Sequence, residues 1–383
     1  LHPERLDDAA LEARLQEHFP TLSMSLADLR AGYYEFSAGA TPSPRVVREE
    51  LSRAKLLRAI HSKRQLEQVL VDFWFDHFNV DARDGIARWA IVPYERDAIR
   101  PHVLGRFEDL LRATARHPAM LGFLDNAQNF REGFVRLGVS YGVNENYARE
   151  LLELHTVGPD AGQTLADIRQ IALAFTGWTI RTILLPSDDG FVFLPDGHDT
   201  SVKWLMGGLA LPAGGGREDG DAVLRFLARH PATAFHLAGR LCRRFVTELD
   251  ASRCVLSAAA RYLETDGDLR EVMRTILLSN DFLGRRHQRT KAKRPFHYVA
   301  SLARTVGVAD ESLLVPALLR AARAMGEDPY GAPAPRGWPD DSAAWLGEGA
   351  MGHRMNLALR ASREGQGFAP LALVSDGSPD GGL

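Results

Sequence analysis

Apolar residues recur every three or four positions along most of this chain, which is the spacing that one face of an α-helix requires. The clearest run lies in residues 62–78. Its apolar face is formed by Leu66, Val69, Leu70, Phe73, Trp74 and His77. Ser62 precedes the run, and serine is a favoured N-cap residue. The pattern predicts a helix that is capped by Ser62 and ends near Phe78.

The same period predicts helices in both halves of the chain. We expect them at 8–18, 25–36, 44–62, 87–117, 144–156, 164–175, 221–229, 231–248, 252–264, 268–279, 291–306 and 311–325. Residues 118–142 and 205–220 are rich in glycine and are predicted to be loops. Two β-branched or aromatic runs, 179–185 and 191–194, predict one β-hairpin. The fold class is therefore mainly α, a multi-helix globular bundle with a small β-hairpin/loop insert around 179–220.

This order predicts four parts. They are an N-terminal helical half (1–178), a β/loop insert (179–220), a C-terminal helical half (221–364) and a tail (365–383). We expect the tail to be disordered because glycine, proline and aspartate crowd it. A length of 383 residues is compatible with two domains.

Charge and hydropathy exclude two classes of partner. The chain has 46 basic and 49 acidic residues and lacks a long basic run, so a nucleic-acid partner is not expected. No apolar run approaches the roughly 18–20 residues that a transmembrane helix needs. The first residue is Leu1 rather than Met, which is compatible with removal of an upstream segment and therefore with export.

The two cysteines, Cys242 and Cys254, are too few for a disulfide framework. Both lie in predicted helices among apolar neighbours. We expect them to be buried free thiols.

The predicted helix 144–156 is the segment that is richest in candidate functional side chains. Glu145, Arg149 and Glu153 are four residues apart and share one face. The face is either a surface charge chain or a half-buried network around a site, where a carboxylate acquires a shifted pKa. In the second interpretation the face points inward, Glu150 or Glu153 is the acid–base group, and Arg149 orients a carboxylate.

Other polar residues are candidates for catalysis or for substrate binding. His77 is a catalytic candidate, although a histidine on an apolar face is more often a hydrogen-bonded core residue. Asp125, Asn126 and Asn146 could bind a sugar or a cation, and Trp178 could stack on a sugar ring. The alternatives are turn formation for the loop residues and core packing for the tryptophan.

His198 and Asp199 follow the predicted hairpin in a loop. Imidazole and carboxylate together can bind a divalent metal or polarise water. The HExxH motif is absent, so the sequence does not indicate zinc. The cofactor therefore stays unknown, with a divalent metal as the candidate.

Residues 144–158, NENYARELLELHTVG, resemble the signature of a bacterial family called domain of unknown function 1800. Supporting segments stand in the same order: FWFDHFNV (73–80), IRPHVLGRFEDLL (99–111), HPAMLGFLDN (117–126), FTGW (175–178), HD (198–199), GWP (337–339) and Arg354. The resemblance covers about residues 40–360. The chain departs from the family pattern at Asp76, where Asn is common, and near His297, where an acidic residue is common.

The resemblance implies a mostly helical protein that is exported to the periplasm or secreted. Family genes often adjoin those of a second family that resembles sulfatases and alkaline phosphatases. The polar positions that match the family are His77, Asp125, Asn126, Asn144, Glu145, Asn146, Arg149, Glu150, Glu153, His198 and Asp199.

Two functions stay open at this point, and whether the chain is an enzyme is not settled. The first is an exported hydrolase that acts on a polysaccharide or cell-envelope polymer, with a metal as an assisting group. The second is a non-catalytic scaffold or secretion partner of a sulfatase-like protein.

Overall fold

A computed structural model describes residues 1–33, 43–181, 190–307 and 311–364. Within these ranges the α-helices are α1 Ala9–His18, α2 Leu26–Tyr33, α3 Arg45–His61, α4 Gln65–His77, α5 Ala87–Pro93, α6 Phe107–Arg116, α7 Pro118–Phe123, α8 Asn146–Glu150, α9 Leu165–Ala174, α10 Arg217–Ala228, α11 Pro231–Phe245, α12 Ser252–Glu264, α13 Leu269–Leu277, α14 Asn280–Leu283, α15 Pro295–Val306, α16 Glu311–Ala324 and α17 Glu348–Glu364. Two π-helical turns, Tyr94–Ile99 and Leu151–His155, follow α5 and α8.

Three antiparallel hairpins accompany the helices. β1 Phe134–Arg136 pairs with β2 Val139–Tyr141, β3 Trp178–Ile180 with β4 Phe191–Phe193, and β5 Lys203–Leu205 with β6 Leu209–Leu211. The chain is mainly α with small β elements, as the sequence predicts.

Helix α4 lies at the centre of the core. Every residue from position 70 to position 77 is buried, so this helix has no solvent face in its second half. Helix α3 packs against α5, α15 and α16, and α11 packs against α12. One connected apolar core runs from Leu15 in α1 to Ala361 in α17. No helix in the described part of the chain is long and apolar enough to cross a membrane.

The structure corrects four predictions of local structure. Residues 118–142 contain α7 and the β1–β2 hairpin, and residues 205–220 contain most of the third hairpin. The predicted helix 87–117 is broken into α5, a π-turn, a 3₁₀ turn and α6, because Pro93 and Pro101 lack amide donors. Ser62 does not cap α4 directly. Its hydroxyl accepts from the backbone N–H of Arg64 at 2.9 Å and donates to Asp8, and α4 begins at Gln65.

The two cysteines are not free thiols. Cys242 in α11 and Cys254 in α12 form a disulfide that spans 12 residues of sequence. They are adjacent because α11 and α12 follow one another in the chain and pack together. The predicted hairpin at 179–185 and 191–194 is confirmed in part by β3 and β4, while residues 182–189 and the predicted tail at 365–383 lie outside the described residues.

Candidate functional site

Helix α4 places two aspartates in the centre of the protein. Asp72 and Asp76 are one helical turn apart and therefore lie on the same face. Their side chains are 3% and 9% exposed, respectively. Buried carboxylates are costly unless charged or hydrogen-bonding partners surround them, so the neighbours of this face define the site.

Helix α11 supplies two arginines with the same spacing. Arg244 Nη2 lies 2.6 Å from Asp72 Oδ2, and Arg244 Nη1 donates to Asp340 at 3.2 Å. Arg240 Nη1 donates to His77 Nδ1 at 2.7 Å, and His77 Nε2 donates to the carbonyl of His155 at 3.0 Å. Arg244 and Arg240 thus tie α11 to Asp72 and His77 of α4.

A third arginine precedes α15. Arg294 pairs with Asp76, and its Nε lies 3.0 Å from Glu327 Oε1. Glu327 also accepts from the backbone N–H of Phe296 at 2.8 Å, in the first turn of α15. These contacts fix the start of α15, and with it the position of His297.

His297 faces the Asp72 carboxylate. Its Nε2 lies 3.0 Å from Asp72 Oδ2, and Lys55 Nζ lies 2.6 Å from Asp72 Oδ1. The His297 side chain is 26% exposed, whereas that of Asp72 is nearly inaccessible. The imidazole therefore lies between a buried carboxylate and solvent.

Asp72 and His297 line a cavity of about 290 Å³ between α3, α4 and α15. Its lining also contains four basic side chains, those of Lys55, Arg100, Lys293 and Arg304. Lys55 is paired with Asp72, and Arg100 with Glu95 at 2.7 Å. Arg304 instead donates to the carbonyls of Ala59 and Ile60, and Lys293 donates to the Ser301 hydroxyl. Within the described ranges neither of these two cations has a carboxylate partner.

The charges set the protonation states of the pair. Burial alone would raise the pKa of Asp72, but the charges of Lys55 and Arg294 hold that pKa well below its usual value. Burial and the neighbouring Arg244 guanidinium lower the pKa of His297, against the opposing effect of Asp72. Near pH 7 the pair therefore consists of a carboxylate and a neutral imidazole.

Burial shifts the pKa values of Asp76 and of two inner histidines, His77 and His155. Burial raises the pKa of Asp76 to about 6, although Arg294 acts in the other direction. Burial and the Arg240 charge lower the pKa of His77, and they lower that of His155 to about 3. Both histidines are therefore neutral parts of the core. His77, predicted as catalytic, belongs to this network but does not line the cavity.

The side chains of the predicted acid–arginine face of residues 144–156 are partly exposed and pair with one another and with Arg169. The Arg149 and Glu153 side chains are 38% and 34% exposed, and their charged atoms are 3.7 Å apart. Glu145 is 3.9 Å from Arg149 and also pairs with Arg169 at 3.5 Å. Glu150 is half-buried, and burial together with Glu153 raises its pKa. The π-turn that ends this segment contacts α4 through the backbone of His155.

The predicted substrate-binding residues hold loops together. Asn126 is buried and donates to the carbonyl of Trp178 at 3.0 Å. Asp125 adopts a left-handed conformation (φ 60°) and accepts from Asn146 at 3.2 Å. Trp178 is fully buried against Phe175, and the Arg116 guanidinium lies 5.5 Å from its ring centre. A buried indole cannot stack on a sugar in this conformation.

The predicted metal pair has protein partners. His198 Nδ1 donates to the carbonyl of Thr176 at 2.8 Å, and its Nε2 lies 3.3 Å from Asp219 Oδ2. Asp219 also binds the fully buried Lys203 at 2.9 Å. Asp199 accepts from the Ser201 backbone at 3.0 Å. No three His, Cys, Asp or Glu side chains of the described ranges are grouped to hold a metal, so the metal stays a prediction without geometric support.

Sequence reasoning missed most of the central network. It did not single out Lys55, Asp72, Arg240, Arg244, Arg294, Glu327 or Asp340, and it noted His297 only as a departure from a pattern. One signal was available, because acids four residues apart in the apolar second half of a helix need cations, and arginines occur in α11 and before α15.

Comparison with known proteins identifies a family for this chain but no activity. The sequence profile described as "Protein of unknown function (DUF1800)" matches residues 2–377. The match extends beyond the expected limits of about 40 and 360, so the C-terminal end does resemble the family. No curated protein and no solved structure matches the chain.

Proposed function

The chain belongs to the DUF1800 family of proteins of unknown function, and we propose that it is a hydrolase in which His297, held by Asp72, removes a proton from the attacking oxygen. The proposal rests on one observation: the imidazole of His297 lies between a buried carboxylate and a solvent-accessible cavity. His297 Nε2 lies 3.0 Å from both Asp72 Oδ2 and Arg244 Nη2, and in the tautomer in which Nε2–H donates to Asp72 the free lone pair is on Nδ1. A neutral histidine oriented by a carboxylate is an effective general base.

The cavity favours an ester link over a glycosidic bond. Glycoside hydrolysis normally needs two carboxyl groups, one of which donates a proton to the leaving group. Asp72 is the one carboxylate among the described residues that line this cavity. It is ionised and engaged by three cations and His297, so it cannot donate that proton. A single base suffices for ester hydrolysis: it removes a proton from the oxygen that attacks the acyl carbon, and the resulting imidazolium returns that proton to the alcohol that leaves when the ester C–O bond breaks.

The charges of the lining favour an acidic substrate. Lys293 and Arg304 are cations without a carboxylate partner among the described residues, and they lie with His297 in the wall of the cavity. Such side chains attract carboxylate or phosphate groups. The substrate class that we propose is therefore an ester-bearing acidic polysaccharide of the cell envelope.

The disulfide supports a location outside the cytoplasm. Disulfides persist in oxidising compartments and are rare in reducing ones. The bond between Cys242 and Cys254 thus favours the periplasm or the cell exterior as the place of action.

Hydrolysis of acetylated polygalacturonate and of p-nitrophenyl acetate by the full chain tests the proposal. We expect His297→Gln to reduce kcat/KM by about 10²–10⁴-fold, the usual contribution of a general base. The matched control is His353→Gln, which changes an exposed histidine in α17 outside the cavity lining.

Lys293→Met should raise KM for the acidic polymer and not for the neutral ester. Ser301→Ala asks whether the attacking oxygen belongs to water or to the hydroxyl one turn after His297.

Two results would overturn this function. One is a His297→Gln protein that hydrolyses the esters as fast as the wild type. The other is the absence of turnover on both esters by a folded, disulfide-bonded wild-type chain.

A second candidate, a non-catalytic partner of a sulfatase-like protein, is favoured by one surface feature. The β1–β2 hairpin exposes Val135, Leu137 and Val139, with exposed fractions of 62%, 79% and 52%. Adjacent exposed apolar side chains often mark protein contacts. Val135→Ser/Leu137→Ser should abolish co-purification with the sulfatase-like neighbour and leave ester hydrolysis unchanged, if this candidate is correct.

A further inference from the structure

Three cavities follow one another along the outer side of α3. The first lies between α1, α3 and α16, and the second lies between α3 and α16. The third surrounds the N-terminus of α3. Arg53 lines both the first and the second cavity, and Glu49 lines both the second and the third. Neighbouring cavities therefore share a wall residue, and we call the three cavities together the α3 groove.

The α3 groove is long enough for a polymer. It extends at least from Arg45 to Leu57, a distance of about 18 Å at ~1.5 Å of rise per helical residue. Its three parts have volumes of about 350, 140 and 470 Å³. An extended chain, rather than one small molecule, matches this shape.

Arginine dominates the charge of the groove. The described residues that line it include eight arginines and two glutamates, in a chain whose total charge is −3. The arginines are Arg14, Arg45, Arg48, Arg53, Arg83, Arg88, Arg320 and Arg323. Positive charge is thus concentrated on one side of a protein that is slightly acidic overall, and such concentration attracts anions.

Some of these arginines are already paired. Arg48 and Arg323 share Asp328, at 2.6 and 2.7 Å, and Arg83 pairs with Asp81 at 2.8 Å. Arg14 lies 3.4 Å from Glu311. These pairs hold part of the groove in a defined shape.

Three arginines have no such partner. Within the described part of the chain, no hydrogen bond or ion pair is found for the side chains of Arg45, Arg53 and Arg320. Arg53 and Arg320 are half-buried and line the narrow middle cavity together. A guanidinium offers a fork of donors that matches a carboxylate or phosphate group, and these forks are unused.

We propose that the α3 groove binds an acidic glycan, whose repeated carboxylate or phosphate groups pair with Arg45, Arg53 and Arg320. A single-stranded nucleic acid fits less well, because its binding relies on aromatic side chains that stack on the bases. Phe19 is the one aromatic residue among the described groove residues, and it lies at the far end with Leu15 and Leu57. This binding surface is distinct from the His297 cavity, which faces α4 and α15, and does not depend on hydrolysis.

Binding of fluorescent polygalacturonate and of fluorescent heparin to the full chain, measured by anisotropy over a salt series, tests the proposal. Polygalacturonate carries only carboxylates and heparin carries sulfates as well, so binding of heparin alone would indicate recognition of sulfate or phosphate-like groups. We expect Arg53→Gln/Arg320→Gln to weaken binding about tenfold or more and to reduce the slope of log K against log salt by about 1–2, as two lost ionic contacts should.

Two further proteins complete the test. Arg253→Gln/Arg285→Gln removes the same charge from exposed positions outside the groove, and it should bind like the wild type. The loss of affinity caused by Arg53→Gln/Arg320→Gln should be equally large in a His297→Gln background, which separates this proposal from the proposed hydrolase. If Arg53→Gln/Arg320→Gln fails to fold, Arg45→Gln at the exposed start of α3 gives a milder test with a slope change of about 1.

Three outcomes would overturn the proposal. The groove variants could bind both glycans as tightly as the wild type, or the wild type could bind neither probe at low salt. Equal or tighter binding of oligothymidylate would assign the groove to nucleic acid instead.

Discussion

The helix pair α4–α11 and the segment 146–155 use the same arrangement of charge with opposite surroundings. In both regions acids and arginines are spaced by one helical turn. The Asp72 and Arg244 side chains are 3% and 5% exposed and are 2.6 Å apart. The Arg149 and Glu153 side chains are 38% and 34% exposed and are 3.7 Å apart. Spacing alone therefore does not distinguish a core network from a surface ladder.

The difference lies in what removal of one partner leaves behind. At the surface, water replaces a lost partner, and a pair contributes about 0.3–0.5 kcal/mol. In the core, water does not solvate the remaining charge. Removal of one partner therefore lowers the free energy of unfolding by about 3–5 kcal/mol. The inner network contains Lys55, Arg240, Arg244 and Arg294 against Asp72, Asp76, Glu327 and Asp340. Its charges balance only while all members are present.

The largest effect should follow loss of Arg294. Arg294→Met leaves Asp76 and Glu327 buried without their shared cation, so we expect the free energy of unfolding to fall by about 3–5 kcal/mol. Urea unfolding followed by circular dichroism measures the change. Arg149→Met is the matched surface control, with an expected change within about 0.5 kcal/mol. Equal effects of the two substitutions would show that a charge pair contributes equally to the free energy of unfolding in the two regions.

The disulfide should have the next largest effect. Replacing both Cys242 and Cys254 by alanine removes a cross-link over 12 residues, for which chain entropy predicts a loss of about 3 kcal/mol. Because α11 also carries Arg240 and Arg244, the loss should reduce ester hydrolysis as well. Unfolding with and without a reductant measures it. A wild-type protein that a reductant leaves unchanged would indicate free thiols, as the sequence alone suggests.

Sequence analysis located the elements of this fold better than their contacts. The apolar run of α4 is unambiguous, and the observed helix differs from the prediction at its start and end by three residues or fewer. The β1–β2 hairpin was missed because its turn contains Leu137, with φ 51°, before Gly138 rather than a usual turn pair. Local pattern predicts a helix well and predicts an unusual turn poorly.

The site was harder to predict because its members are distant in sequence. Asp72 pairs with Arg244, 172 positions away, and Asp76 with Arg294, 218 positions away. Spacing within each helix shows that two acids share a face, but only the tertiary packing shows which arginines face them. The signature segment 144–158 drew attention because its charges are close in sequence, and for the same reason they can remain at the surface.

A pH titration should test the buried contact between the two regions, where the carbonyl of His155 accepts from His77, and its effect should be smaller. The unfolded His155 binds a proton below pH 6.5, whereas in the folded protein its pKa is about 3. Between these values the unfolded state binds more protons, so stability falls by about 1.4 kcal/mol per pH unit for this histidine as pH decreases. His77, whose pKa is also lowered, adds to this slope, while Asp76, with a pKa of about 6, opposes it between pH 6 and about 4.

Unfolding free energies at several pH values from 7 to 5 measure this slope. His155→Gln should reduce the slope of stability against pH by about 1.4 kcal/mol per pH unit, the contribution of one proton, because glutamine does not titrate. An unchanged slope in this variant would mean that His155 is already solvated in the folded state.

The smallest effect should come from the surface ladder. Glu153→Gln removes one charge from a pair whose atoms are 3.7 Å apart and whose side chains are each about a third exposed. We expect a loss of about 0.3–0.5 kcal/mol that disappears in 1 M salt, because at that ionic strength the screening length is only about 3 Å. The same salt should leave the effect of Arg294→Met nearly unchanged, since mobile ions do not reach a buried pair. If salt instead weakened both effects equally, the inner network would be accessible to water, and the Asp72–His297 pair would lose the low-dielectric surroundings that keep its imidazole neutral.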